Sequence, residues 1–389
     1  MAKSLPAVPL ALLASVLLVA GCAAGASASA VSDASVAVEA ASPPGASASA
    51  SPPPSEGGPP DHGDGGAPSP DDGGGPEFSP YFPAWTFGAK GYAYTSLTNL
   101  QQISGVADVT LAFVLASPDG GCASDLATDG IGANLSDIHA FVAAGGHAKL
   151  SFGGAQGLYL QDPSACAAAS ALQSAIGSAL DTTGIDDLDF DVEQPFTSGM
   201  SDQANENLGE ALAGLQQTRD IHFSLTLQVN TDIEAEGGAM GPGLEGEAQI
   251  LVKEVAAAGA RIGRVNLMVM SFGPARAAGE TEAQAAIDAL EGAHAQVQAL
   301  IPGLTSEGAW AMLGATAEIG QNDQNVGEIF TPADATTLAT FARAQGMGLV
   351  SFWSIDRDRV CSGPCGFQKY STVNTSNFEF AKAFLAAIR

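Results

Sequence analysis

From Phe78 onwards the chain repeats one alternation eight times: a short apolar run, then a stretch of helical periodicity. The runs are Phe78–Phe82, Val109–Leu115, Ala148–Phe152, Leu188–Val192, His222–Val229, Arg264–Met270, Trp310–Ala315 and Gly348–Ile355. Between them, Leu135–Ala144 follows Asn134 and stops at Gly145-Gly146, Ala165–Leu180 is Ala-rich, and Asn205–Gln217 is amphipathic. Glu245–Ala258 ends at Gly259, Thr281–Leu300 stops before Pro302, and Pro332–Gln345 starts behind Thr331 and ends at Gly346. These are the flanks of helices, with oxygen-bearing caps in front and glycine or proline behind. The helix after the first run, within Thr95–Gly105, is short. Strands joined by helices pair in parallel. Eight such units over about 300 residues predict an α/β fold, a closed (β/α)8 TIM barrel spanning 78–389. A doubly wound open sheet is the alternative. In a barrel the chemistry sits at the carboxyl ends of the strands.

The fourth run carries the sharpest signal. Asp186-Asp187-Leu188-Asp189-Phe190-Asp191-Val192-Glu193 alternates acids with apolar residues. Period two puts Asp189, Asp191 and Glu193 on one strand face and Leu188, Phe190 and Val192 on the other. A solvated strand edge would also carry acids. Yet the chain is only 14% charged, and Asp and Glu are poor strand formers. Three stacked carboxyls repel one another. Partial burial then raises at least one pKa and makes a general acid available near neutral pH.

Other strand ends are also unusual. The third ends in Ser151-Phe152-Gly153-Gly154, where glycines allow close approach to a ligand or merely make a tight turn. The sixth ends in Met268-Val269-Met270-Ser271-Phe272-Gly273, with methionine as core filler the competing explanation. The eighth ends in Ser351-Phe352-Trp353-Ser354. Trp353 there offers a flat platform for a sugar ring, unless it is a core residue. Tyr81 on the first strand and Gln228 on the fifth complete the candidate binding residues.

Together these residues resemble glycoside hydrolase family 18, the chitinases and related endoglycosidases. Asp186, Asp189, Asp191 and Glu193 match the family's Asp-x-x-Asp-x-Asp-x-Glu signature. Ser151, Gly153 and Gly154 match its Ser-x-Gly-Gly motif, and Trp353 matches its strand-eight Trp. The resemblance implies a retaining, substrate-assisted hydrolysis of β-1,4-linked N-acetylglucosamine polymers, needing no metal or other cofactor. Glu193 would be the acid and base. Asp191 would orient the substrate acetamide, and Asp189 would tune Asp191 by sharing a proton. Trp353 would form the floor beneath the reacting sugar. Strand six departs from the pattern. Ser271 stands where an Asp is expected and Phe272 where a Tyr is expected, so a substrate-facing hydroxyl is lost there. Such a loss favours a weakened enzyme or, as an alternative, a chitin-binding surface protein with little catalysis. A structural or adhesive lipoprotein is a third reading, against which the acidic strand argues.

The amino-terminal part differs in character. Residues 1–21 hold Lys3 and an apolar run from Ala7 to Ala20, too short for a comfortable membrane span and suited to a secretory signal. Leu18-Val19-Ala20-Gly21-Cys22 resembles a bacterial lipobox, which implies lipidation of Cys22. Residues 22–77 are Ala, Ser, Pro and Gly with scattered acids, no Phe, Tyr or Trp and no Lys or Arg, a composition that predicts a disordered tether. An envelope-anchored or extracellular, monomeric protein is therefore expected, touching membrane only through its lipid. A formal charge of −28 repels phosphate backbones and argues against nucleic acid. His62, His139, His147, His222 and His294 show no metal-ligand spacing, so no metal is expected. Cys122, Cys166, Cys361 and Cys365 permit three pairings in an exported chain. The pairs Cys122–Cys166 and Cys361–Cys365 are expected, since neighbouring strands place the first two in adjacent loops.

Overall fold

The structure, a computed structural model, describes residues 75–193, 202–230, 242–325, 327–361 and 369–389. The expected signal 1–21, Cys22 and the tether as far as residue 74 lie outside these residues, as does Cys365.

A ring of parallel strands forms the centre. They are β1 (Glu77–Phe78 continued by Tyr81–Pro83), β2 (Asp108–Ala116), β3 (His147–Gly153), β4 (Asp187–Val192), β5 (His222–Gln228), β6 (Arg264–Met268), β7 (Leu313–Glu318) and β8 (Leu349–Trp353). Consecutive strands pair in parallel from β2 to β8, with a register shift in β2 between Ala112 and Val114. β1 closes the ring by serving both edges. Glu77–Phe78 pairs with β8, and Tyr81–Pro83 pairs with β2. Pro80 breaks the strand because it brings no N–H to a ladder. Its carbonyl still accepts from Thr110 N–H at 3.1 Å, while Ser79 N–H donates to Val350 at 3.2 Å.

The helices are α1 (Leu97–Ser104), α2 (Leu135–Ala143), α3 (Ala169–Thr183), α4 (Asp202–Gln216), α5 (Gly246–Ala257), α6 (Glu282–Leu300), α7 (Ser306–Met312), α8 (Pro332–Gln345) and α9 (Glu379–Ile388). The outer faces of the strands hold the main apolar core. Phe190 is fully buried there, stacked on Phe152 at 5.2 Å and edge-on to Phe223 at 6.2 Å. Truncating such a residue costs about 3–5 kcal/mol. α8 shows how locally the sequence sets its ends. Thr331 and Asp334 form a reciprocal capping box, and Gly346 at φ 72° stops the helix. No helix among the described residues is long and apolar enough to cross a membrane.

Three expectations are corrected. Glu77, assigned by composition to the tether, is a strand residue in a 2.6 Å ion pair with buried Lys149. The seventh strand is Leu313–Glu318, not Trp310–Ala315. Thr305 caps α7 by accepting from Gly308 N–H, which carries Trp310 into the helix, where it stacks on His294 at 4.3 Å. The third helix begins at Ala169 rather than Ala165. The N–H groups of Ala165 and Cys166 are turned back to the Asp162 carbonyl, and Cys166 is bound to Cys122. Cys361 is disulfide-bonded too, and its expected partner Cys365 lies outside the described residues.

Candidate active site

The inner faces of the strands are polar where the outer faces are apolar, and this sets the floor of the site. Asp189 is buried at the centre and accepts from four hydroxyls on three other strands. Tyr81 (2.8 Å) and Ser151 (2.6 Å) donate to Oδ2, and Ser224 (2.5 Å) and Thr226 (2.6 Å) donate to Oδ1. Asn266 continues the network, donating to Thr226 at 2.9 Å and to Thr316 at 2.7 Å. Four donors fill the lone pairs of one carboxylate. Asp189 is thus held by hydroxyls, and among the described residues no hydrogen bond joins it to Asp191.

One step up the strand, Asp191 is 4% exposed, and its Oδ1 has no hydrogen-bond partner. Burial pushes this carboxyl well above the usual range, and the charges of Glu193 and Asp189 push it further. Glu193, half-buried past the last strand residue, is raised by burial to about 7. The charge of Glu193 is among the causes that raise Asp191, so the two carboxyls do not ionise independently. A buried carboxyl acceptor without a donor and a protonated carboxyl near neutrality form an acid site with an open hydrogen-bonding position.

The glycines of the Ser-x-Gly-Gly motif have a specific cause. Gly153 (φ 116°) and Gly154 (φ 92°) lie in backbone regions that side chains avoid. A Cβ on Gly153 would meet the Asp191 carbonyl oxygen, and one on Gly154 would meet the Phe113 ring at 2.6 Å. The turn lets Gly154 N–H bond the Asp191 carbonyl at 2.9 Å. Their role here is close packing against the acidic strand.

Trp353 ends β8 half-buried, preceding a cis peptide to Ser354. It stacks on Phe113 at 5.8 Å, meets Tyr81 edge-on at 5.9 Å, and lies 6.1 Å from Trp85. Trp85 is 49% exposed and was missed in the sequence, although its place just after Tyr81-Phe82-Pro83 was a usable signal. Gln228 and Met268 are register partners at the ends of β5 and β6. Met270 and Ser271 are half-buried just beyond. Ser271 sits at φ 52°, with its N–H held by Asn322 at 2.9 Å.

Phe272 requires a correction. It is 3% exposed and packs into the main apolar core, not into the small cluster of Tyr81, Ala112, Phe113 and Trp353. Glu328 fixes it there, accepting from the N–H groups of Phe272 (2.9 Å) and Gly273 (2.7 Å). Two further polar residues were not anticipated. Glu318, beside Trp353 in register, is buried against Arg357 and accepts Asp323 N–H with both oxygens, at 3.0 and 3.1 Å. Burial raises it to about 7 against the lowering pull of Arg357. Glu318 ends β7 only because that strand runs Leu313–Glu318 and not Trp310–Ala315. Tyr159 is the other. Its hydroxyl donates to the Gly154 carbonyl at 2.7 Å and accepts Glu193 N–H at 3.1 Å.

Buried carboxyls and a cluster of aromatic rings thus meet at the carboxyl end of a closed barrel. No protein-family model matches the sequence. The chain is 29% identical over 266 residues to a protein of Escherichia coli (strain K12) named "Probable bifunctional chitinase/lysozyme", covering 64% of this chain and 28% of that one. It is also 29% identical over 244 residues to Endochitinase 11 of Metarhizium anisopliae, covering 60% and 44%. It thus spans less than half the length of either relative. The catalytic domain of the hyperthermophilic chitinase from Pyrococcus furiosus superposes with a TM-score of 0.66 at 26% identity, over 81% of this chain and 96% of that one. A GH18 chitinase from Pseudoalteromonas aurantia shares the fold at a TM-score of 0.52 and 15% identity, over 80% and 99%. Sequence and fold together support a chitinase-like domain similar to those of glycoside hydrolase family 18.

Proposed function

We propose that the protein hydrolyses β-1,4-linked N-acetylglucosamine polymers with retention, the substrate's own acetamide acting as nucleophile. The observation that carries this reading is the Asp191–Glu193 pair. Glu193, held near 7 by burial, carries the proton that the glycosidic oxygen needs on leaving. The partnerless Oδ1 of Asp191 is an acceptor suited to the acetamide N–H. That bond orients the acetamide carbonyl toward the anomeric carbon and favours the positive charge that develops on its nitrogen. Asp189 contributes its charge from below and, with its four hydroxyl partners, fixes the strand face. Deprotonated Glu193 then activates the water that opens the intermediate. Trp353, supported by Phe113, stacks under the reacting ring. The relatives named chitinase support the substrate class. The export signal, the Cys22 lipid and an envelope location remain part of this proposal.

The test compares wild type with Glu193→Gln on chitooligosaccharides, reading product mass and the anomeric form first released. Retention with wild type, and a loss of at least about 10²-fold in the variant, are expected. First-formed α-anomer, or equal turnover by the variant, sinks the mechanism.

A further inference from the structure

We infer that Tyr159 is a positioning residue for Glu193, acting as a hydroxyl spacer that extends the β3–β4 ladder one step beyond the last paired residues. The inference rests on the reading of Glu193 as the acid.

Register pairs run from Leu150 with Leu188 to Gly153 with Asp191, and there they stop. The ladder's last backbone bond runs from Gly154 N–H to the Asp191 carbonyl at 2.9 Å. In a parallel ladder the next bond would run from Glu193 N–H to the Gly154 carbonyl. Gly154 sits at φ 92° and carries the chain away from β4, so that direct bond does not form. The Tyr159 phenol fills the gap. Its oxygen accepts Glu193 N–H at 3.1 Å and its proton goes to the Gly154 carbonyl at 2.7 Å. A Cβ on Gly153 would approach the same ring at 3.0 Å, so the phenol is wedged against the turn.

The consequence is mechanical. Glu193 lies past the end of β4, where backbone freedom would otherwise begin. The phenol extends the rigidity of the strand to the residue whose carboxyl must meet the glycosidic oxygen. Tyr159 is 6% exposed, which removes water as a substitute partner. Its segment is tethered twice, by Ala116 N–H to the Leu158 carbonyl at 2.9 Å and by the Cys122–Cys166 disulfide a few residues on. A general acid displaced by about 1 Å can lose on the order of 10²-fold in rate.

Tyr159→Phe keeps the ring and removes only the hydroxyl. With chitooligosaccharides, kcat is expected to fall about tenfold or more, with KM within about twofold. Glu193 becomes less firmly packed, so the alkaline limb of the kcat/KM profile should move down from about 7 toward the ordinary carboxylate range. Both readings are taken where wild type and variant are folded by circular dichroism, so a lower Tm does not confuse them. Wild-type kcat with an unmoved alkaline limb overturns the inference. A rise in KM alone overturns it too, since that marks a binding residue. Glu193→Gln separates the two claims. If it is inactive while Tyr159→Phe is normal, only the spacer role fails. If Glu193→Gln is active, or wild type is inert, the acid assignment and the spacer role fail together.

Discussion

A Cβ on Gly153 would collide with the carbonyl oxygen of Asp191. The third strand and the acidic strand therefore touch backbone to backbone at Asp191, two residues before Glu193. The glycine motif and the acid motif, 38 residues apart at Ser151 and Asp189, are two sides of one contact.

Gly153→Ala should therefore be costly twice over. It forces a side chain to φ 116° and pushes the Asp191 carbonyl out of its place. A loss of about 3 kcal/mol or more is expected in urea unfolding. A loss under about 1 kcal/mol would mean that the strands separate easily here.

Glu193 gives a pH prediction that needs no substrate. Its folded pKa, about 7, exceeds its ordinary value of 4.5 because of burial. The folded state therefore binds more protons than the unfolded state between these values. The stability this confers is full below about pH 4.5 and is lost as pH rises through 7. Glu193→Gln removes the charge that the folded state must bury. It should raise stability by about 1–3 kcal/mol at pH 8 and change little at pH 4, measured as urea midpoints. An equal shift at both values would contradict the raised pKa.

The Cys122–Cys166 bridge spans a sequence separation of 44. Chain entropy assigns a loop of that size about 4 kcal/mol as an upper figure. The double variant Cys122→Ser/Cys166→Ser should lose about 2–4 kcal/mol in urea unfolding without changing the far-ultraviolet spectrum. Unchanged stability would show that the unfolded chain is already compact across this loop.

Phe272 is the residue on which sequence and structure part most clearly. Its place in the strand-six motif is that of a substrate-binding tyrosine in the family it resembles, but it packs in the main core under the Glu328 clamp. Phe272→Tyr should thus bury a hydroxyl and cost about 1–3 kcal/mol, with no gain in turnover. Faster hydrolysis by this variant would place the ring at the cleft after all.

What was legible follows from how local the signal is. The acid ladder is local, because period two alone aligns Asp189, Asp191 and Glu193. Helix caps such as Thr331 with Asp334 are local as well. Strand seven was misplaced because Trp310-Ala311-Met312-Leu313 is apolar enough for either element, and only the Thr305 cap decides for a helix. The partners of Asp189 come from strands as far as 108 residues away, and only barrel closure brings Tyr81 to it. Tyr159 had no signal at all. It lies in a loop, and its role exists only because the ladder ends at Gly153 and Asp191.

The two tryptophans of the floor should behave differently when removed. Trp353 is half-buried among Tyr81, Phe113 and Trp85, so its loss damages packing and, on the proposed mechanism, removes the platform under the reacting sugar. Trp353→Ala should lower kcat/KM by about 10²-fold or more for every chitooligosaccharide, and reduce stability by about 2–4 kcal/mol. Trp85 is 49% exposed, and its ring centre lies 6.1 Å from that of Trp353. Trp85→Ala leaves the core intact, so stability should shift by less than about 0.5 kcal/mol. Its effect should depend on substrate length. Stacking of one ring contributes about 1 kcal/mol, so KM should rise about fivefold for long oligomers that reach Trp85 and stay constant for the shortest ones. A uniform loss across lengths would put Trp85 at the reacting sugar. No loss for any length would leave it an exposed side chain outside the binding path.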